Sequence, residues 1–391
     1  MVLNKALNYF SGLFFTRSGP GGKIEMMTTK QYMKRALTLA LRGAGFVSPN
    51  PLVGAVVVKD GKIIGEGWHK EFGGAHAEVN AIAGAGGPVG GAELYINLEP
   101  CSHQGKTPAC TDQIIRSGIK KVIIGMQDPN PLVNGKGMAI LRHHGIEVHA
   151  GVLESECKKL NEVFIKFITT RKPFVVFKYA MTIDGKIATV DNASRWITGE
   201  ESRKIVHRLR HKMRSVMVGA DTVIYDNPML NVRLAGKKLK QPLKIIADST
   251  LRIPLEAKVL TSDPQLCLIA STEKADKNKV TEIRRRGAQV LICPVKDGRV
   301  DLPFLFDRLG AMDIDGLLLE GGSTLAFSVL NEGLVDKVIA FVAPKILGGA
   351  TAPTAVGGEG IAAMEEAINL RDMKARQVGD DLMIEGYIIR K

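Results

Sequence analysis

One histidine, two cysteines and a glutamate are spaced along this sequence in a way that suits metal chemistry. His76-Ala77-Glu78 is followed by Pro100-Cys101 and then by Cys110. An imidazole and two thiolates are three ligands of the nitrogen and sulfur type, and catalytic Zn²⁺ is commonly held by three such ligands with water in the fourth position. Zinc makes that water acidic near neutral pH. Glu78 is the carboxylate that we expect to move the proton.

Each cysteine taken alone is as well explained as an ordinary buried residue, because cysteine packs in cores as a small hydrophobe. The complete set, in order and within predicted strands and helices, favours the zinc site. His-x-Glu followed by Pro-Cys is the pattern of zinc deaminases, whose two cysteines are usually spaced Cys-x-x-Cys. Here Cys101 and Cys110 lie further apart. We expect the inserted residues 102–106 to form a loop with its own role at the pocket.

The composition bears on the class of partner. The chain has 391 residues, 45% of them hydrophobic, which allows two to three globular domains. A net charge of +13 allows nucleic acid, a membrane surface or anionic small molecules. The basic residues are scattered except for Arg284-Arg285-Arg286, where we expect a solvated helix face, and aromatic residues are sparse. We therefore expect neither nucleic acid nor a membrane as a partner.

Several features bear on the compartment. Five cysteines in so long a chain do not suggest a disulfide framework, so we expect a reducing cytoplasm. Residues 1–27 are interpreted as a disordered, dispensable extension and not as a targeting peptide, because the apolar patch Leu13-Phe14-Phe15 is short and no small-residue cleavage site follows it. No apolar run approaches the ~20 residues that a membrane-spanning helix needs.

The hydrophobic periodicity predicts an α/β fold. A capped helix over 28–43 precedes two strand-like runs that flank Lys59-Asp60-Gly61, a strong hairpin signal. Strands over 93–98 and 121–125 alternate with helices, which indicates a partly parallel sheet. Cys110 then lies near a helix N-terminus, where the helix dipole favours a thiolate.

The same pattern divides the chain. We predict a first domain over 28–150, a linker helix over 151–172 that ends before Pro173, and a second α/β domain over 173–391.

In the second domain an apolar strand runs into Glu320-Gly321-Gly322 and then into a helix. Glycines let the backbone approach a phosphate, and a helix N-terminus favours its charge, although such a turn is often only a turn. Other polar or aromatic residues stand at probable strand and helix ends, where α/β proteins gather ligand contacts. They are Ser194, Trp196, Arg210, Thr222, Asp226, Arg233 and Ser249.

From about Met27 to the C-terminus the sequence resembles the RibD family, in which a pyrimidine deaminase is fused to a ribosylaminouracil reductase. The resemblance in the first half is carried by residues 49–54, 76–78, 99–103, 105–110 and 128–131. In the second half it is carried by residues 178–186, 194–198, 226–228, 230–233 and 320–325. Ala109 stands where the family more often has proline.

The resemblance implies a cytidine-deaminase-like three-layer domain followed by a dihydrofolate-reductase-like domain. It implies one zinc ion held by His76, Cys101 and Cys110, with Glu78 as the catalytic proton carrier, and NADPH as the second cofactor. The implied NADPH contacts are Ala180, Trp196, Thr222, Asp226, Ser249, Gly322, Ser323, Thr324, Leu325, Ala326, Phe327 and Ser328. The implied substrate contacts are Ser194, Arg210, Leu230, Arg233 and Glu320.

The implied reactions are hydrolytic deamination of a diaminopyrimidinone ribosyl phosphate to an aminouracil, then reduction of its ribosyl group to ribityl. We expect Ser249 to recognise the 2′-phosphate of NADPH, while Arg252 is either a second such contact or a solvated turn residue. The partner is then a small pyrimidine ribosyl phosphate, and we expect a homo-oligomer. Two alternatives stay open: a nucleic-acid base deaminase, and a chain with inactive sites kept for binding.

Overall fold

The computed structural model describes residues 27–102, 108–234 and 239–390. The chain divides into two units, Met1–Ile165 and Lys166–Lys391. Two expectations fall wholly or mostly on residues that are not described: the disordered N-terminal extension and the pocket loop between the two cysteines. Among the described residues, no helix is long and apolar enough to cross a membrane.

The first unit contains a five-stranded sheet of strand order β2-β1-β3-β4-β5. Strand β1 pairs antiparallel with β2 and β3, whereas β3, β4 and β5 run parallel, so the predicted partly parallel sheet is confirmed. The elements are α1 (Thr29–Ala40), β1 (Gly54–Lys59), β2 (Lys62–Trp68), α2 (Ala77–Ala83), β3 (Glu93–Leu98), α3 (Cys110–Arg116), β4 (Lys121–Met126), α4 (Lys136–His143), β5 (Glu147–Ala150) and α5 (Glu154–Leu160).

Glycines let two helices pack closely on this sheet. A Cβ atom on Gly54 would lie 2.1 Å from the carbonyl oxygen of Ala36 in α1. A Cβ atom on Gly67 would lie 2.2 Å from the amide nitrogen of Ala81 in α2. Gly67 pairs with Ala55, whose side chain points to the face opposite Gly54. Helices α1 and α2 therefore cover opposite faces, which gives three layers.

Local signals set the first elements as the sequence predicts. The hydroxyl of Thr28 accepts a hydrogen bond from the Gln31 amide, and the Gln31 side chain accepts one from the Thr28 amide, so α1 begins with a capping box. Between β1 and β2, Asp60 and Gly61 have φ values of 50° and 72°. Positive φ at both turn residues is what a tight hairpin with an Asp-Gly turn requires.

The prediction of one continuous linker helix is wrong. The segment forms two helices, α5 and α6 (Glu162–Thr170), separated at Asn161. The buried side chain of Asn161 accepts a hydrogen bond of 2.8 Å from the Leu52 amide and donates one of 3.1 Å to the Leu52 carbonyl. We attribute the break to this anchoring of Asn161, which the helical periodicity of the segment does not reveal.

The second unit contains a nine-stranded sheet of order β10-β9-β8-β7-β13-β6-β14-β16-β15. The strands from β10 to β14 in this order run parallel, and β16 and β15 add an antiparallel edge. The elements are β6 (Phe174–Thr182), α7 (Glu200–Met213), β7 (Ser215–Gly219), α8 (Ala220–Asp226), β8 (Leu243–Ala247), α9 (Lys258–Thr261), β9 (Cys267–Ser271), α10 (Lys277–Arg285), β10 (Gln289–Ile292), β11 (Val295–Lys296), β12 (Arg299–Val300), α11 (Leu302–Ala311), β13 (Gly316–Leu319), α12 (Ser323–Asn331), β14 (Lys337–Ala343), β15 (Leu370–Val378) and β16 (Asp381–Ile388).

The central parallel strands are buried on both faces, as expected when helices cover both sides of a sheet. Met217 and Val216, adjacent in β7, belong to two different hydrophobic cores. At the end of α10, Arg285 and Arg286 both form ion pairs with Glu282 at 2.7 Å. The basic run thus pairs with an acidic residue of its own helix.

Candidate active sites

The three predicted metal ligands come from the ends of neighbouring elements of the first unit. His76 is the N-cap residue of α2, Cys101 follows β3, and Cys110 is the first residue of α3. The Thr111 amide donates a hydrogen bond of 3.2 Å to the Cys101 carbonyl, which ties the start of α3 to the segment after β3. Parallel strands that deliver helices at the same sheet edge bring residues from separate loops together.

The donor atoms of the three residues are close enough to share one ion. The Nδ1 atom of His76 lies 3.2 Å from Cys110 Sγ and 3.6 Å from Cys101 Sγ. Bonds of ~2.0 to 2.3 Å around tetrahedral Zn²⁺ place neighbouring ligand atoms roughly 3.3 to 3.8 Å apart. Within the described part of the chain, no other group of three or more histidine, cysteine or acidic residues has this geometry. The residues therefore fit a zinc ion.

Glu78 lies beside this cluster and is almost completely buried, with 3% of its surface exposed. Burial raises the pKa of Glu78 to about 7, and the negative charge of Cys101 acts in the same direction. Hydrogen bonds from Cys110 and His76 lower the pKa of the Cys101 thiol to about 4, so a thiolate is favoured there. A carboxyl group with a pKa near neutrality can both accept and release a proton.

Two neutral side chains, which the sequence analysis did not single out as site residues, lie next to the cluster. The imidazole of His69 meets that of His76 edge-on, with ring centroids 5.3 Å apart. Its Nδ1 lies 3.1 Å from the Ala75 carbonyl and its Nε2 lies 3.1 Å from the side-chain amide of Asn50. Burial lowers the pKa of His69, so the ring is neutral, with its proton on Nδ1. The signal was available, since Asn50 belongs to a family motif and His69 directly follows β2.

The loop after β4 is hydrogen-bonded to Glu99, which lies two residues before the predicted ligand Cys101. The buried carboxylate of Glu99 accepts hydrogen bonds from the amides of Asp128, Gly135 and Met138 at 3.1, 3.0 and 3.2 Å. Burial raises the pKa of the Asp128 carboxyl to about 6. Glu99 thus fixes the motif that begins at Asp128 beside the predicted zinc ligands, although the two segments are separate in sequence.

In the second unit the glycine turn lies where two helices begin. Gly321 and Gly322 have φ values of 91° and 82°, a left-handed region that favours glycine. A Cβ atom on Gly322 would lie 3.5 Å from Thr222 Oγ1 and 3.6 Å from the Gly219 amide nitrogen. Gly219 and Gly322 are the N-cap residues of α8 and α12. Two helices thus begin beside each other, with glycine at both N-caps and the Thr222 hydroxyl next to the turn, an arrangement that suits the phosphates of a nucleotide.

A buried ionic cluster adjoins the turn. Glu320 binds Arg210 through Nε at 2.5 Å and Nη2 at 3.0 Å, and it binds the Lys178 ammonium at 3.0 Å. Burial alone would raise the pKa of Glu320, but the charges of Arg210 and Lys178 outweigh it and hold the pKa at about 2. Arg210 also donates to the Asn231 carbonyl at 3.0 Å. Lys178 was not among the predicted site residues.

Further cations surround this cluster. The side chain of Arg233 donates to Asn231 Oδ1 at 2.9 Å, and its amide donates to His207 Nδ1 at 3.3 Å. Burial, Arg210 and Arg233 together lower the pKa of His207 to about 4. Burial lowers the pKa of Arg233, and the charges of Arg210 and Arg195 lower it further. Cations that disfavour one another in this way create a positive potential suited to an anionic ligand.

The loop before α7 is attached to the end of α8. Ser194 Oγ donates to Asp226 Oδ1 at 2.8 Å, and Arg195 donates to the Asp226 carbonyl at 2.6 Å. Trp196 follows, with its side chain exposed. The structure therefore brings together three residues that the sequence analysis placed in one site, namely Ser194, Trp196 and Asp226.

The other predicted contacts differ in their surroundings: some are buried in the cores, and others already have partners within the protein. Leu230 and Ala326 are buried in the hydrophobic cores, with 3% and 0% of their surfaces exposed, so neither presents a surface for its predicted ligand contact. Ser249 Oγ accepts a hydrogen bond of 3.1 Å from the Val300 amide, and Arg252 forms an exposed ion pair of 2.8 Å with Asp221.

The remaining predicted contacts lie in or beside elements already described. Ala180 lies in β6 opposite Phe341 of β14. Phe327 packs where a Cβ atom on Gly358 would lie, and Ser328 Oγ donates to the Thr324 carbonyl at 3.1 Å. Ser323 begins α12, and the side chain of Leu325 adjoins Gly219.

The chain is similar to known proteins over both units. The model of the RibD C-terminal domain matches residues 173–384, more than half of the chain. The model of the cytidine and deoxycytidylate deaminase zinc-binding region matches residues 26–126. The riboflavin biosynthesis protein RibD of Actinobacillus pleuropneumoniae is 46% identical over 370 residues, which are 95% of this chain and 98% of the relative. The chain belongs to the RibD family.

Solved RibD structures are similar over nearly the whole length. Acinetobacter baumannii RibD, form 1, is 35% identical with a TM-score of 0.84, covering 94% of this chain and 100% of that one. A Thermotoga maritima protein described as a diaminohydroxyphosphoribosylaminopyrimidine deaminase/5-amino-6-(5-phosphoribosylamino)uracil reductase is 38% identical with a TM-score of 0.81, covering 92% and 99%. The Escherichia coli RibD sequence is 36% identical over 369 residues, covering 92% and 99%.

RibD membership confirms several predictions from the sequence. The chain is a bifunctional riboflavin biosynthesis enzyme, with a zinc-dependent deaminase domain and an NADPH-dependent reductase domain. The expected fold class of a cytidine-deaminase-like domain followed by a reductase domain is confirmed as well. The roles of individual residues stay predictions.

Proposed function

We propose that the first domain hydrolyses the amino group of a diaminopyrimidinone ribosyl phosphate, and that the second reduces the resulting 5-amino-6-(5-phosphoribosylamino)uracil. The substrate assignment is supported by the description of the Thermotoga maritima relative. The single observation that carries the deaminase assignment is the buried carboxyl group of Glu78 beside a cluster of one histidine and two cysteines whose donor atoms can share one ion.

For the deamination we assign the ligand roles to His76, Cys101 and Cys110. Zinc, when bound there, supplies a Lewis acid that activates water for attack on the amino-bearing ring carbon. Glu78 accepts a proton from the attacking water and delivers it to the ring nitrogen; it then takes the remaining proton of the added hydroxyl group and delivers it to the amino group, which leaves as ammonia. Water is consumed, the carbon–nitrogen bond breaks and a carbonyl forms. Burial of Glu78 keeps bulk water from exchanging these protons.

Of the neutral pair His69 and Asn50, we assign to Asn50 the hydrogen bond with the pyrimidine. Because His69 carries its proton on Nδ1, which faces the Ala75 carbonyl, its Nε2 is an acceptor beside the Asn50 amide. Because the Asn50 amide donates to this nitrogen, His69 holds Asn50 in place and Asn50 orients the pyrimidine; burial lowers the pKa of His69, so we assign neither residue to proton transfer.

In the reductase domain NADPH, when bound, supplies the hydride that converts the ribosyl group to ribityl. We assign its phosphates to the turn at Gly321 and Gly322 with the start of α12, and its remaining contacts to Trp196, Thr222, Asp226 and Ser249. We add Lys178, whose ammonium binds Glu320 at 3.0 Å, to the residues of the proposed substrate site.

The terminal phosphate of the substrate is assigned to Arg233 and Arg210. The support is electrostatic, because Arg195, Arg210 and Arg233 create more positive charge than Glu320 neutralises. A guanidinium also binds phosphate through paired N–H donors. Ser194 completes the proposed substrate contacts.

We further propose domain limits of 28–150 and 173–391 with a linker over 151–172, a homo-oligomer, and a cytoplasmic location. None of the five cysteines, all of which lie in the described residues, forms a disulfide, which supports a reducing compartment. We also propose a small-molecule partner in place of nucleic acid or a membrane. The arginines at the end of α10 support this, because they form ion pairs with Glu282 of their own helix.

The test supplies the purified protein with the diaminopyrimidine nucleotide in two steps. Ammonia should be released in the absence of NADPH, and NADPH should then be oxidised in an amount equal to the ammonia. Release of ammonia from cytosine or adenine in single-stranded nucleic acid, without release from the free nucleotide, would contradict the proposal.

A further inference from the structure

Trp196 is an exposed tryptophan in a fixed segment. It exposes 60% of its surface, whereas tryptophan is usually well buried. On one side of it, Ser194 is bound to Asp226. On the other side, the Gly199 amide donates to Asp381 Oδ2 at 2.8 Å. A flat apolar ring presented by a fixed backbone is suited to stacking, because little conformational entropy is lost on binding.

Two cations from different elements hold this residue. The guanidinium of Arg203, in α7, lies over the indole with its Cζ atom 4.5 Å from the ring centroid. Its Nη1 also donates a hydrogen bond of 2.7 Å to the Thr198 carbonyl. Lys345, in the loop that follows β14, donates a hydrogen bond of 2.7 Å to the Trp196 carbonyl. The ring and the backbone on either side of it are thus each restrained.

Arg203 is oriented by its place on α7. It lies four residues before His207 and seven before Arg210, a spacing that puts all three on one face of a helix. His207 and Arg210 contact Arg233 and Glu320 in the proposed substrate site. Arg203 is therefore on the face of α7 that borders the proposed substrate site. Its cation–π contact there restrains the side chain of Trp196.

We propose that Arg203 is a positioning residue of the reductase, which holds the indole of Trp196 at the angle at which the nicotinamide nucleotide packs against it. Lys345 fixes the same residue through its carbonyl. This inference rests on the proposed contact between Trp196 and the cofactor. Arg203 acts through the ring and does not touch the reacting atoms, so its loss weakens NADPH binding and leaves the chemical step and the pyrimidine site intact.

The test compares NADPH affinity in the full-length zinc-loaded enzyme carrying Arg203→Leu, Arg203→Lys, Trp196→Ala or the double substitution Trp196→Ala/Arg203→Leu. Arg208→Leu is the matched control, since Arg208 is an exposed arginine of the same helix on a different face. Arg203→Leu should raise the dissociation constant for NADPH on the order of 5- to 30-fold, the effect of losing a partly desolvated cation–π contact. Arg203→Lys keeps the charge but not the planar guanidinium, so we expect its NADPH affinity to fall by about 2- to 5-fold.

The double substitution shows whether Arg203 acts through the ring. Without the indole, Arg203→Leu should have no further effect on NADPH affinity, so the double variant should match Trp196→Ala. The KM for the aminouracil, the kcat at saturating NADPH and the release of ammonia should stay within about 2-fold of the unsubstituted enzyme for Arg203→Leu. A general loss of structure would not weaken NADPH binding while leaving these three quantities unchanged.

The outcomes separate the two proposals. If Trp196→Ala weakens NADPH binding while both Arg203 variants bind it as the unsubstituted enzyme does, the positioning role is wrong and the cofactor contact stands. Equal losses from Arg203→Leu with and without Trp196 also overturn the positioning role. If Trp196→Ala leaves NADPH affinity unchanged, the cofactor contact fails and the inference fails with it.

Discussion

Arg210 holds the carboxylate of Glu320 through two N–H groups, at 2.5 Å for Nε and 3.0 Å for Nη2. A third N–H group donates to the Asn231 carbonyl. Of the five N–H groups of a guanidinium, only two are left for a ligand. Arg233 uses one of its groups on the Asn231 side chain and is more exposed to solvent. Of the two arginines assigned to the substrate phosphate, Arg233 is therefore expected to provide the larger share of the contact.

Replacing Arg233 should remove the preference of the reductase for a phosphorylated substrate. Loss of one charge-assisted contact costs about 1.5 to 3 kcal/mol, or roughly ten- to a hundredfold in affinity. Arg233→Ala should lower kcat/KM for the phosphorylated aminouracil by that factor and leave the dephosphorylated compound unaffected. Arg233→Lys should show an intermediate loss, because the charge remains without the fork. With Arg208→Ala as control, an unchanged ratio for Arg233→Ala would place the phosphate elsewhere.

Replacing Glu320 should destabilise the second unit as well as inactivate it. Glu320→Gln leaves the buried charges of Lys178 and Arg210 without an anion between them. Breaking a buried ion pair in this way costs about 3 to 5 kcal/mol. We expect urea denaturation to show this loss in the free energy of unfolding of the reductase domain. The free energy of unfolding of the deaminase domain should not change. A Glu320→Gln protein of unchanged stability would show that the cluster is well solvated.

The purified protein should contain one zinc ion per chain. Cys110→Ser removes one of the two sulfur ligands, so metal analysis after dialysis should show a large loss of zinc together with the loss of ammonia release. Cys157→Ser provides a control, because Cys157 is a buried cysteine outside the metal cluster. Full zinc content in the Cys110→Ser protein would rule out Cys110 as a ligand.

NADPH should be preferred over NADH, and Ser249 should contribute to the preference. Its Oγ accepts a hydrogen bond from the Val300 amide, which leaves the hydroxyl proton available to a phosphate oxygen. Ser249→Ala should reduce the ratio of kcat/KM for the two nucleotides by about tenfold. The same ratio measured for Arg252→Ala decides between its two interpretations, since its exposed pair with Asp221 contributes only ~0 to 1 kcal/mol. Equal use of NADPH and NADH by the unsubstituted enzyme would contradict the assignment to Ser249.

The sequence predicts best those features that neighbouring residues determine. The hairpin at Asp60-Gly61 and the capping box at Thr28 follow from turn and cap chemistry within a few residues. The cluster of the three predicted zinc ligands follows from similar signals, because each stands in a short motif at the start of a helix or the end of a strand.

What the sequence did not reveal depends on contacts between distant residues. Arg210 and Glu320 are 110 positions apart, and Asn161 reaches Leu52 across 109 positions. Periodicity gives the face of an element but not its partner, so the break between α5 and α6 and the role of Lys178 could not be read from spacing. The same holds for the antiparallel edge formed by β15 and β16.

The most direct test of the two-site account uses the single substitution Glu78→Gln. The amide keeps the shape of the side chain but cannot carry protons, so ammonia release from the diaminopyrimidine nucleotide should fall by roughly a hundredfold to ten-thousandfold. Zinc content should be unchanged, and NADPH oxidation with the aminouracil supplied directly should stay within about 2-fold of the unsubstituted enzyme. Ammonia release at the full rate, or loss of both activities from a folded, zinc-containing protein, would contradict the account.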